Sequence, residues 1–175
     1  MTAAAGDQAR VSVLVRVPPK VAFRAFTEEI DQWWRPGPRY RVAGNKRGLI
    51  HIEGGVGGRL FESFEGQAGT KVIETGRITA WDPPSRLSFE WRSPNYGAHE
   101  RTFVDIVFEE SPSGTRITVT HRGWSGIRPD HPARHGQEVA EFLRGTGLWW
   151  ADLMTSFREH VEPPPPRDDE DEESE

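Results

Sequence analysis

One histidine is the side chain best placed for chemistry. His121 ends a segment of β-branched residues, Thr115–Arg122, and follows Ile117 and Val119 in steps of two. Side chains alternate between the faces of a strand, so His121 should lie on the apolar face. Such a histidine is commonly a core residue bonded to backbone, but it can also contact a ligand or transfer a proton. All three roles fit this position in the sequence.

A second pair of histidines has the spacing of metal ligands. His131 and His135 are four residues apart, as on a metal-binding helix, but Pro132 lies between them and no acidic third ligand is near. We expect a solvated loop or helix start there, and no metal or cofactor.

The remaining catalytic templates do not fit. The stretch "GGVGGRL" has Leu60 where a dinucleotide-binding loop needs its third glycine, and "GWSGI" lacks the spacing of a nucleophile elbow. Glu62 and Glu74 lie in predicted strands of unassigned orientation. Arg59 or Arg77 could pair an acidic ligand, and surface salt bridges explain both arginines equally well. Catalysis is therefore not required, and no catalytic residue is assigned.

Composition limits the possible partners. The chain of 175 residues has no cysteine, which excludes thiol chemistry and favours a reducing cytoplasm. No apolar run reaches the ~20 residues of a membrane span. The net charge of -5 arises from the tail, residues 162–175, which contains eight acidic residues and one arginine. The rest is nearly neutral and indicates no nucleic-acid surface.

The predicted elements begin with a strand, Arg10–Val17. Pro18 and Pro19 then favour a helix start, and Thr27 is placed to cap a second short helix that carries Ile30, Trp33 and Trp34 on one face. Six further strands follow at hairpin spacing, separated by turns rich in glycine, proline, asparagine or aspartate. Their predicted ranges are Leu49–Glu53, Arg59–Phe64, Thr70–Trp81, Arg86–Arg92, Thr102–Glu110 and Thr115–Arg122.

The last predicted element is a long helix from about Gln137 to His160, which Gly145 and Gly147 could kink or break. Its apolar stripe should cover the concave face of an antiparallel sheet. The stripe consists of Val139, Phe142, Leu143, Trp150, Leu153 and Phe157.

Several segments resemble the START/Bet v 1-like (SRPBCC) helix-grip superfamily, and within it proteins similar to the activator of Hsp90 ATPase homologue 1. They are "VPPKVAFRAFT", "IDQWW", "WDPPSRLSFEW", "GTRITVTHRGW" and "GLWWADLMTSF", in the family's order. The resemblance implies an α+β helix-grip fold: a seven-stranded antiparallel sheet wrapped around a long C-terminal helix, with two short helices after the first strand.

The resemblance also implies a cavity between sheet and helix. We expect a small hydrophobic ligand there, with no catalysis required. The alternatives are a cyclase/aromatase-like enzyme using the same cavity, or a protein-interaction domain with a filled core. Because tryptophans next to each other on a helix point about 100° apart, one of each pair should anchor the core and the other face the cavity. The candidate ligand-binding residues are Trp33, Trp34, Phe61, Trp91, His121, Trp150 and Met154.

The domain boundaries follow from composition. Residues 1–9 are expected to be a flexible N-terminus, 10–161 the helix-grip domain, and 162–175 a disordered tail. Pro163–Pro166 favour an extended spacer, and the acidic run after it could dock a protein partner. A monomer or homodimer is expected.

Overall fold

The computed structural model describes residues 7–44, 46–92, 96–127 and 139–162. His131, His135, the predicted helix start at Gln137 and the tail beyond Glu162 lie outside this part of the chain. The described elements are strands β1 (Gln8–Val15), β2 (Gly48–Ile52), β3 (Arg59–Gly66), β4 (Gly69–Asp82), β5 (Arg86–Trp91), β6 (Thr102–Ser111) and β7 (Gly114–Arg122), and helices α1 (Pro19–Glu28), α2 (Ile30–Trp33) and α3 (Val139–Val161). A single 3₁₀ turn, Trp124–Gly126, follows β7.

The seven strands form one antiparallel sheet in the order β1-β7-β6-β5-β4-β3-β2. Strands β2 to β7 are a meander of consecutive hairpins, and β1 pairs with β7 at the far edge. This confirms the predicted topology, with strand ends within two residues of those expected. A register shift between Leu60 and Phe61 interrupts the β3–β4 ladder, and such irregularities increase the local twist of a sheet.

Helix α1 begins after Pro18, as predicted, but the predicted cap of α2 is wrong. Thr27 is still within α1, and its buried hydroxyl donates to the carbonyl oxygen of Phe23 at 2.9 Å. Glu29 occupies the position before α2 instead. The hydroxyl is buried where the carbonyls of the preceding turn are its nearest acceptors, which explains this local bond.

Helix α3 is continuous over Val139–Val161, so Gly145 and Gly147 do not break it. Each glycine costs a helix about 1 kcal/mol relative to alanine. Burial of the apolar stripe outweighs that cost, since burying one large apolar side chain contributes about 1.5–3 kcal/mol. The stripe residues whose side chains the structure describes are all buried: Phe142, Leu143, Trp150, Leu153 and Phe157.

The two tryptophan pairs behave differently. Trp33 and Trp34 are both buried, 1% and 2% exposed, so exposure does not test the expected division within this pair. The helical geometry on which it relied ends at Trp33, because Trp34 has extended backbone angles, φ −68° and ψ 118°. Trp149 and Trp150 differ in burial: Trp150 is 1% exposed and Trp149 is only partly buried.

Candidate functional site

His121 lies on the inner face of β7 and is 2% exposed. Its Nδ1 accepts a hydrogen bond from the indole N–H of Trp150 at 3.1 Å, and its Nε2 lies 2.7 Å from the hydroxyl oxygen of Thr102. An indole nitrogen only donates, so Nδ1 must carry the lone pair. Nε2 therefore carries the proton and donates it to Thr102. These contacts define a neutral imidazole in one tautomer.

The ionisation of His121 agrees with this geometry. Burial lowers the pKa of His121 from its ordinary value of 6.5 to about 3, because a low-dielectric interior disfavours the charged imidazolium. Protonation at Nδ1 would in addition place two N–H groups against each other. His121 is thus uncharged at neutral pH.

The polar chain continues from Thr102 toward the surface. Thr102 is fully buried and also forms a side-chain hydrogen bond with Tyr96. Burial raises the pKa of Tyr96 to about 12, and the bond from Thr102 acts in the opposite direction. Trp150, His121, Thr102 and Tyr96 therefore form a connected set of hydrogen-bonding groups from the core to the half-buried Tyr96.

Aromatic rings surround His121. Ring centroids of Trp91, Trp124 and Trp150 lie 6.3, 4.5 and 6.1 Å from its imidazole. We call Trp91, Thr102, His121, Trp124 and Trp150 the His121 cluster. It combines a large apolar surface with a few fixed polar atoms, which is the usual composition of a small-molecule site.

Trp124 reaches His121 because of the residue before it. Gly123 has a left-handed φ of 90°, a conformation that favours glycine, and the chain turns there into the short 3₁₀ turn. The Trp124 ring packs edge-on against Phe142 of α3 at 4.8 Å. In the part of the chain that the structure describes, the Trp124 indole nitrogen is the one buried side-chain polar atom without a hydrogen-bond partner.

The structure brings several predicted candidates together. Trp34 lies beside the His121 cluster, with its ring 6.2 Å from Trp91 and 5.8 Å from Trp150. Met154, 2% exposed, belongs to the same hydrophobic core. The candidates Trp34, Trp91, His121 and Trp150 thus share one region.

Two candidates lie elsewhere. Trp33 packs deeper, 4.7 Å from Phe26 and 5.2 Å from Phe157. Phe61 alternates with the buried Leu60 and Glu62 along β3 and lies on the outer face of the sheet. There it stacks on His51 at 4.9 Å and beneath the Arg59 guanidinium at 4.6 Å, so it is not part of the cluster.

Charged residues near the site hold a loop in place. Arg41 donates to Asp31 at 2.7 Å and to the carbonyl oxygen of Trp34 at 2.6 Å. The buried carboxylate of Glu62 accepts the backbone N–H groups of Val42 and Ala43. These bonds fasten the loop after α2 to the sheet, so both acids are structural.

The same loop is fastened to α3. The Tyr40 hydroxyl donates to Asp152 at 3.0 Å, and its ring stacks on Trp149 at 5.9 Å. The Trp149 indole donates to the Arg39 carbonyl at 2.8 Å. Sequence analysis missed Tyr40, Arg41 and Trp124, because none lies in a periodic segment that would indicate its direction.

The arginines considered for an acidic ligand form surface ion pairs. Arg59 pairs with Glu53, and Arg77 pairs with Glu74. Both guanidinium groups are partly exposed, which fits the salt-bridge interpretation. Residues 7–44, 46–92, 96–127 and 139–162 contain no group of three or more metal-ligating side chains. None of the described helices is long and apolar enough to cross a membrane.

A curled seven-stranded sheet with a long C-terminal helix and short helices after β1 is the helix-grip fold of the SRPBCC superfamily. The family model for proteins like the activator of Hsp90 ATPase homolog 1 matches residues 16–158, and the chain belongs to this family. Its fold is that of a general ligand-binding or interaction domain. A comparison with curated proteins found no match.

Solved structures show the same fold at low sequence identity. A protein from Mesorhizobium loti is 18% identical, with coverage of 87% of this chain and 94% of that one and a TM-score of 0.58. A protein of unknown function from Staphylococcus aureus is 16% identical, covering 88% and 91%, with a TM-score of 0.62. The Aha1 dimer from Colwellia psychrerythraea, solved in solution, is 16% identical, covering 89% and 96%, with a TM-score of 0.59.

Proposed function

We propose that this protein binds a small hydrophobic ligand between the sheet and α3, at the end of their interface where the His121 cluster lies. The observation that carries the proposal is a neutral, fully hydrogen-bonded histidine inside an aromatic shell. Apolar walls supply affinity for a hydrophobic ligand. The lack of cysteine favours the cytoplasm as the place of binding.

Binding without catalysis is the better-supported form of this proposal. Both ring nitrogens of His121 are engaged, and its lowered pKa leaves little tendency to accept a proton at neutral pH. The buried Glu62 is engaged by two backbone amides. A cyclase-like reaction needs a polar group that is free to act on a substrate, and these two groups are already occupied.

Native mass spectrometry of the protein purified from its own host tests the proposal. We expect an additional mass of a small molecule that disappears under denaturing conditions. The Trp91→Ala variant should lose most of this mass, and Trp81→Ala is the matched control. Trp81 packs against Phe23 and pairs with Leu87, at the other end of β5 from Trp91. Equal retention in both variants, or no bound mass in the wild type, contradicts the proposal.

A protein-interaction domain is the second candidate. Leu49 and Val72 are each 51% exposed and flank Ser63 in the cross-strand register of β2, β3 and β4. They form an apolar patch near the free edge of the sheet, and such patches commonly mark interfaces. One solved relative is a dimer, and a homodimer of this chain is the simplest partner.

Sedimentation of the wild type and of Leu49→Ser with Val72→Ser tests this candidate. A wild-type dimer that dissociates in the double variant supports an interface at this patch. A monomeric wild type excludes the homodimer. We treat residues 162–175 as a separate tail. A variant truncated after Glu162 distinguishes binding by the patch from docking of a basic partner by the acidic tail.

A further inference from the structure

The indole N–H of Trp124 differs from those of the other buried tryptophans. Trp33 donates to the Phe26 carbonyl at 3.3 Å, Trp34 to the Tyr40 carbonyl at 2.9 Å, and Trp150 to His121 at 3.1 Å. Trp124 is 4% exposed, yet its N–H has no partner among the described residues. Buried donors are nearly always satisfied by protein, water or ligand, so an acceptor from outside the described residues is expected.

The surroundings restrict what can carry that acceptor. Trp124 lies between the His121 ring and Phe142, and it shares a hydrophobic cluster with Ile127 and Leu143. An oxygen that reaches the N–H from this side must be attached to an apolar body that replaces the contacts of the rings. A flat aromatic or alicyclic body suits walls made of aromatic rings.

The charge of the site restricts the ligand further. His121 is neutral, and the nearby Arg122 pairs with Asp105 at 2.8 Å on the outer face, with its guanidinium over Phe103. None of the residues of the His121 cluster carries a positive charge. Among the described residues of the cluster, a buried carboxylate would find no counter-ion, which is strongly unfavourable.

Resting on the proposed function, we propose that the ligand is an uncharged ring compound with a hydrogen-bond acceptor, such as a ketone, and that Trp124 Nε1–H donates to this acceptor. Trp124 is then the residue that selects among hydrophobic molecules of similar size. The Trp150 indole keeps His121 in its tautomer and does not contact the acceptor.

Isothermal titration calorimetry with two probes of equal shape tests this proposal. 2-Acetylnaphthalene carries a ketone oxygen, and 2-isopropenylnaphthalene carries a CH₂ group in its place. We expect Trp124→Phe to reduce the ratio of ketone affinity to hydrocarbon affinity by roughly threefold to tenfold, the contribution of one neutral hydrogen bond. Trp149→Phe is the control and should leave the ratio unchanged, because Trp149 donates to the Arg39 carbonyl. 2-Naphthoate should bind the wild type more weakly than the ketone.

If Trp124→Phe does not fold, benzothienylalanine at position 124 keeps the ring shape and exchanges N–H for sulfur. A ratio unchanged by loss of the N–H, or naphthoate as the tightest probe, overturns the assignment while leaving hydrophobic binding intact. Failure of the wild type to bind either neutral probe contradicts the proposed function itself, and this inference with it.

Discussion

The two ends of the interface between sheet and helix have different chemistry. At one end Phe26, Trp33, Phe108 and Phe157, which we call the Trp33 cluster, contact one another with ring centroids 4.7 to 5.7 Å apart. At the other end the His121 cluster mixes rings of similar size with an imidazole, a threonine hydroxyl and a free indole N–H. One helix, α3, contributes Phe157 to the first cluster and Trp150 to the second.

This difference separates stability from recognition. The Trp33 cluster offers a ligand no polar atom except an indole N–H that already bonds the Phe26 carbonyl. Close-packed rings of this kind contribute burial energy and hold α1, α2 and α3 together. The His121 cluster keeps polar groups in a buried place, which is costly unless each one is satisfied. We therefore assign anchoring to the first cluster and ligand selection to the second.

Removing the ring at the anchoring end should have the largest effect. Trp33→Ala should lower the free energy of unfolding by about 3–5 kcal/mol, the usual range for a core tryptophan. Trp91→Ala, at the His121 end, removes a ring that is only partly buried and should cost less than half as much. Urea denaturation measures both. Equal losses would show that the two ends of the interface do not differ in packing.

The pH dependence of stability should report the buried imidazole. The pKa of His121 is lowered to about 3 in the folded protein, while an unfolded histidine has a pKa of about 6.5. Between these values the unfolded state binds the extra proton, so stability falls as pH decreases. The free energy of unfolding should fall by about 2 kcal/mol between pH 7.5 and pH 5.

The matched control for this pH effect is His121→Gln, which cannot titrate. Its unfolding free energy should change less over the same interval, and the difference between the two proteins isolates His121 from other groups. Identical slopes in wild type and variant would mean that His121 is not a buried neutral base.

Loss of the acceptor for His121 should have a smaller effect. Thr102→Val leaves the Nε2–H of His121 buried without its partner, at a cost of about 1–2 kcal/mol. Thr120→Val is the control, because Thr120 is half-buried and faces the other side of the sheet from His121. This substitution should change stability by less than about 0.5 kcal/mol. Thermal unfolding measures both. A Thr102→Val variant as stable as the wild type would refute the assigned tautomer.

The smallest effect should come from the segment of α3 that precedes Trp150. Gly145 and Gly147 lie inside the helix, and a Cβ atom at either would have open space around it. Alanine at each position should stabilise the protein by about 0.5–1 kcal/mol and leave ligand affinity unchanged. If the double variant binds its ligand more weakly, these glycines shape the site.

Much of the fold could be predicted from the sequence, because its signals are local. Turn residues separate the strands, and alternation along β7 correctly placed His121 on the buried face. The site was less predictable. The direction of Trp34 depends on the end of α2 at Trp33, and the position of Trp124 depends on the left-handed Gly123. Phe61 was a candidate for the cavity wall because the sequence does not indicate on which face of β3 it lies. The register of β3 with β4 decides that.

The most direct test of the account is a ¹H–¹⁵N spectrum of the seven tryptophan indole groups, recorded while 2-acetylnaphthalene is added. Single Trp→Phe variants assign the signals. We predict that Trp91, Trp124 and Trp150 shift, with Trp124 moving furthest downfield as its N–H gains an acceptor, and that Trp33 does not move. Shifts centred on Trp33, or saturating probe with no shift at Trp124, would contradict the assignment of ligand selection to the His121 cluster.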